Sequence, residues 1–258
     1  MIINPSRGLL LILSAACLLL LPRPAAHAQG AAERAITPDL AEAVRAASRL
    51  AGVRFASLLS QLAHESALQT GAKNPASSAA GPAQFLEATW LELVRDHGAA
   101  FGLGAEARRI VVRDGRPDVD DPGLKARLLR LREDPHLAVA MAARYLATVK
   151  RELATLLRHR PSDTDTRMAY LLGAGGAAQL LGAARTRPRT PASDILPDAA
   201  RANPPLFKDA EGRPLTAAAC VAQIRQLLTA QDDWSAQFEP PPPREHIGDL
   251  VLPPAAAG

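Results

Sequence analysis

The chain has 258 residues, of which 48% are hydrophobic and only 3% aromatic, and its formal net charge is +4. This length suits one good-sized domain or two small ones, and the core must be built from Ala and Leu, which favours helices over sheets. Without Arg7 and Arg23, which lie in an N-terminal segment read as removable, the charge falls to +2; with no basic patch and no interleaved aromatics, nothing argues for nucleic acid.

Residues 1–28 read as an export signal. Arg7 supplies the positive start, "GLLLILSAACLLLL" (8–21) the apolar stretch, and Ala26-His27-Ala28 a small-x-small cleavage site. The apolar run is short for a membrane span, and Pro22 and Pro24 end it. Residues 14–17 resemble a lipoprotein signal, but Leu is missing from its usual place and the apolar run continues past Cys17. A signal of this kind predicts a periplasmic protein whose single remaining cysteine, Cys220, lies in an apolar run and belongs to the core.

Helix signals then follow in order. Thr37-Pro38-Asp39 predicts a capped start and Gly52 the end of a first helix. A second begins near Arg54, with Phe55, Leu58, Leu59 and Leu62 on one apolar stripe. Residues 86–97 predict a third, ending at Gly98. The stretch 98–123 reads as loop, its "RDGRPDVDDPG" a solvated turn whose spacing does not match a calcium loop. Asp134-Pro135 opens the longest helix, to about Arg160. Ser162 caps a short one, broken by "GAGG" (173–176), and another runs to about Ala184. Residues 186–205 read as Pro-rich loop with a short helical turn, and 215–228 as the last clear helix. The segment 239–258 reads as a disordered Pro-rich tail. The expected architecture is one mainly α-helical domain over 29–238.

Glu65 is ten residues beyond Phe55, which puts it about 70–80° from the centre of the apolar stripe. That is the border of the buried face, at the helix's C-terminal end. Desolvation and the negative end of the helix dipole both disfavour its charged form there, so its pKa should rise, as a general acid near neutral pH requires. An exposed helix-end glutamate is the plainer alternative. The stretch after it is small and neutral: Ser77 and Ser78 offer hydroxyls, Gln84 a donor and an acceptor, and no acid occurs between Glu65 and Glu87. Retaining and inverting glycosidases both need a second carboxylate, and none stands nearby in sequence. "HESAL" lacks the second His of a zinc protease. The remaining histidines are scattered without ligand spacing and read as surface residues.

Glu65-Ser66, "GPAQF" (81–85) and "AYLLGAGG" (169–176) resemble, in order and spacing, the three signature blocks of the SLT-type (family 1) lytic transglycosylases. The resemblance covers about residues 38–185. It implies a lysozyme-like (goose-lysozyme/SLT-type) helical fold with a glycan-binding groove, a C-terminal helical extension, and activity on peptidoglycan glycan strands. It implies no cofactor, metal, nucleic acid or membrane span, and leaves room for an envelope or secretion machine as partner. Carried over by position, Glu65 is the sole catalytic acid/base and Ser66 supports its helix end. Gly81 opens the loop to the glycan, Gln84 lines the groove, and Tyr170 reaches the catalytic carboxyl or the sugar beside it. Two blocks depart from the family: Pro82-Ala83 replace Leu-Met, and Leu171 stands where Asn is usual. A goose-type muramidase, which is a hydrolase, and a non-catalytic peptidoglycan-binding scaffold are the alternatives.

Overall fold

The computed structural model describes residues 36–75 and 77–241. The export signal read at 1–28 and the tail beyond 241 lie outside the described residues. Helix α1 (Pro38–Ala51) begins where Thr37 Oγ1 accepts the Leu40 N–H at 3.2 Å and stops at Gly52, whose φ of 67° suits a left-handed cap. Helix α2 (Phe55–Ser66) buries Phe55, Leu58, Leu59 and Leu62, the stripe its spacing predicts. Helix α3 (Glu87–His97) also matches expectation.

The stretch read as loop is folded. It holds a 3-10 turn (Gly98–Phe101), the one-turn helix α4 (Gly104–Ala107) and an antiparallel hairpin of β1 (Ile110–Arg113) and β2 (Arg116–Val119). Asp114 and Gly115 take φ of 48° and 77°, the paired positive values of a type I′ turn. The Asp-Gly signal was present, but Arg113, Arg116 and Pro117 hide any hydrophobic alternation. Pro117 is tolerated because both strands of a two-stranded sheet are edges.

Helix α5 (Pro122–Arg130), absent from the sequence reading, is capped by Asp121 Oδ1, which accepts the Gly123 and Leu124 N–H groups at 2.9 and 3.0 Å. A 3-10 turn (Leu131–Glu133) leads to α6 (Pro135–Leu157), capped by Asp134. It ends before the expected Arg160 because Arg158 turns left-handed, at φ 58°. Helix α7 (Asp163–Thr186) starts at its Ser162 cap. The expected break across 173–176 contracts to Gly173, at φ 73° and ψ 153°, a conformation that only glycine holds without strain. Three short helices follow, α8 (Ala192–Ile195), α9 (Pro197–Ala202) and α10 (Pro204–Phe207), where loop with one short helical turn was expected.

The last helix, α11 (Ala217–Ala236), runs well past the expected end at 228. It packs on α7 and α2, while α6 packs on α7 and α1. A single buried cluster runs from Val44 to Leu228, so α11 shares one core with the helices before it. Cys220 is fully buried there, as expected, and burial pushes its thiol up to about 12. The described residues are thus mainly helical, and none of their helices is long and apolar enough to cross a membrane.

The added turns of α11 carry a charge inward. Asp232, 4% exposed, meets Arg167 of α7, 0% exposed, with Oδ1 2.6 Å from Nη1. Ser57 and Ser60 of α2 each donate a hydroxyl to Asp232 at 2.8 Å. Arg167 also donates to Leu228 O and Gln231 Oε1, at 3.1 and 2.8 Å. Asp232→Ala would leave Arg167 charged and unpaired in the core, so urea unfolding should show a loss of about 3–5 kcal/mol. Replacing the pair together, as Arg167→Met with Asp232→Leu, should recover most of that loss.

Candidate active site

Helix α2 ends abruptly at the residues of interest. Ala67 and Leu68 follow Ser66 with φ of 51° and 64°, two successive non-glycine residues in the left-handed region. The strain is held in place by the Ala67 N–H on Ala63 O, at 2.8 Å, and by burial of Leu68. Ser66 Oγ donates to Pro82 O at 2.8 Å, tying the helix end to the turn that contains the second sequence block. Only the backbone carbonyl of Pro82 is needed for this bond.

Glu65 is buried, at 7% exposure, and its Oε1 accepts an N–H from Gln61 Nε2 at 2.7 Å. Desolvation pushes its carboxyl up to about 7, against the smaller downward pulls of the Gln61 bond and the Arg167 charge. Among the described residues no second carboxylate adds to these influences. His64, read from sequence as a surface residue, is half-buried. Desolvation, helped by Arg167, drives its imidazole down to about 4, so it is neutral at pH 7.

The loop residues are placed by their own backbone. Gly81 has φ 77°, and a Cβ on it would stand 1.9 Å from Arg132 O. Its missing side chain therefore admits the 131–133 turn. Gln84 is buried at φ 47°, with Nε2 donating to Ala72 O at 3.1 Å and Gly81 O at 2.9 Å, so this amide braces the loop. Ser77 Oγ accepts the Ala79 N–H and Ser78 Oγ the Glu87 N–H, each at 3.2 Å. Arg132 donates to the carbonyls of Ser78 and Phe85 from across the loop. Ser77 and Ser78 also border a surface depression of about 340 Å³ shared with Lys73, Arg130 and Arg132; Glu65 does not line it.

Tyr170 does lie with Glu65. Both the acid's charge and burial hold its phenol well above the usual range. Its ring meets Tyr145 of α6 edge-on, with centroids 5.0 Å apart, and the series continues through Phe85 at 6.2 Å to Trp90 at 5.8 Å. Leu171, at 7% exposure, faces the core. The structure thus brings Glu65, Ser66 and Tyr170 together and sets Ser77 and Ser78 apart. Sequence reasoning missed Gln61, Tyr145 and Arg167. Gln61 was findable as the residue one helical turn before Glu65, and Arg167 as the residue three before Tyr170; no local signal marks Tyr145. Among the described residues no group of three His, Cys, Asp or Glu is placed to hold a metal. No family model matches the chain.

The two buried titrations oppose each other. A carboxyl raised from 4.5 to about 7 binds more protons folded than unfolded, so its contribution to stability, about 3 kcal/mol at most, is lost as pH rises through that window. A histidine lowered from 6.5 to about 4 binds fewer protons folded, so stability is lost as pH falls through its window. Thermal midpoints of Glu65→Gln should therefore rise between about pH 4.5 and 6.5 more steeply than wild type, and His64→Gln should show the reverse slope. Gly81→Ala should destabilise the fold and detach the loop, read as increased proteolysis between residues 67 and 86.

Proposed function

We propose that this chain is a peptidoglycan lytic transglycosylase with Glu65 as its sole acid/base. The observation that carries the reading is a lone carboxyl, buried at a helix end, near neutral in pKa and free of any acidic partner. Such a group is protonated at the start of a reaction cycle and can take a proton back within it. The ordered sequence blocks and the export signal supply the substrate class and the periplasmic setting.

In this mechanism Glu65 protonates the glycosidic oxygen between N-acetylmuramic acid and N-acetylglucosamine, and the C1–O bond breaks. The substrate's N-acetyl group stabilises the positive charge at the anomeric carbon. Glu65, now ionised, takes the proton of the muramic 6-hydroxyl, whose oxygen closes on C1 to give a 1,6-anhydro sugar. The proton count closes without water, so no second carboxylate is needed to activate it. Ser66 holds the acid's helix end to the 81–84 turn, and the Tyr170 phenol is held neutral by its burial and by the nearby charge of Glu65.

Glu65→Gln should abolish release of muropeptides from purified sacculi, a fall of about 10²–10⁴-fold or more, while sacculus binding persists. Wild-type products should resist borohydride, because an anhydro end is not a reducing end. Reducible products would identify a muramidase, and binding without release by the wild type would identify a scaffold. Since the acid form starts the cycle, activity should fall as pH rises above about 7.

A further inference from the structure

Gln61 is the most anomalous residue of α2. It is 1% exposed, next to Leu62 and one turn from Leu58 on the buried stripe, where an apolar side chain would pack without a polar cost. Its Nε2 donates to Glu65 Oε1 at 2.7 Å, yet its own Oε1 is buried with no partner. A buried orphan acceptor is a cost to the fold, so the amide oxygen of Gln61 contributes nothing there. What the side chain supplies is its single N–H bond to the acid.

We propose that Gln61 is a positioning residue for Glu65: its N–H occupies Oε1, so that Oε2 is the oxygen that carries, delivers and recovers the proton. This rests on the acid/base reading of Glu65 above. A carboxyl has two equivalent oxygens and a free rotor, and a proton delivered to a fixed glycosidic oxygen must come from one of them in one orientation. The bond is built to hold that orientation. Gln61 and Glu65 are four apart on one helix, so donor and acceptor share a face without reliance on any loop. The other titratable and charged groups around it come from elsewhere: Arg167 of α7, held by Asp232 of α11, acts on the carboxyl, and the carboxyl acts in turn on Tyr170 of α7 and on Tyr145 of α6, which Glu92 and Glu152 also influence. The imidazole of the neighbouring His64 is neutral above about pH 4. Among the described residues, the hydrogen bond to the carboxyl comes from Gln61.

The test is Gln61→Met, which keeps length and removes the donor and the orphan together. With sacculi as substrate, kcat should fall about tenfold with KM unchanged. The alkaline limb of activity, and the Glu65 carboxyl titration followed by carbon NMR without substrate, should both move up by about one to two pH units, because the ionised form loses its donor. The thermal midpoint at pH 5 should stay close to that of wild type, because removal of the orphan oxygen offsets the donor that Glu65 Oε1 loses. A merely structural Gln61 would lower the midpoint and leave both titrations in place, and that result overturns the proposal. If Glu65→Gln is inactive but Gln61→Met keeps the wild-type limb, Gln61 alone is reassigned. If Glu65→Gln still cleaves, the acid/base reading itself falls, whatever Gln61→Met does.

Discussion

The ion pair between Arg167 and Asp232 sets the geometry that the rest of the structure uses. Two charges taken out of water are costly, and their attraction offsets that cost only with close geometry and further hydrogen bonds. Both conditions are met by the serines of α2, a carbonyl and an amide of α11 and the 2.6 Å contact itself, with Arg167 Nε left over. Because the donors Ser57 and Ser60 sit on α2, the pair fixes that helix in rotation against α7 and α11. Glu65 lies five residues beyond Ser60, so its direction follows from the same constraint. Hydrophobic packing alone would tolerate small rotations of α2; a shared carboxylate does not.

The carboxyl of Glu65 is held by a balance of unequal forces. Desolvation dominates and favours the neutral acid; one N–H and one cation favour the anion. If the cation bonded it directly, the carboxyl would be a salt-bridged anion. If it were absent, the charged form would be less favoured still. Asp232 matters here as well, because by occupying Arg167 it moderates how much of that charge Glu65 feels. The aromatic series from Trp90 to Tyr170 gives this arrangement a rigid, water-excluding backing.

Much of the helical skeleton was legible because its signals are local. Caps at Thr37, Asp134 and Ser162, and the Phe55–Leu62 stripe, depend on residues within a few positions of one another. The raised pKa of Glu65 was legible too, since burial and helix polarity follow from its place on the helix. What failed was long-range. The end of α11 reads as polar, and only its partner on α7 explains why a charged turn should face inward. The close approach of the 131–133 turn to Gly81 and the hold of two loop carbonyls on the Gln84 amide were likewise invisible along the sequence. The hairpin was missed for a different reason: its turn signal was plain, but a proline and two arginines masked the strands.

The contact between Asp232 and the helix that bears Glu65 spans most of the sequence. A ribosome releases Ser60 and Glu65 well before Asp232. Until Asp232 emerges, Arg167 lacks this counter-charge and α2 its rotational lock. The helices can form locally as they emerge, but their final docking must wait for α11. A fold closed by α11 in this way remains open, and Glu65 without its final surroundings, for as long as that helix has not been made.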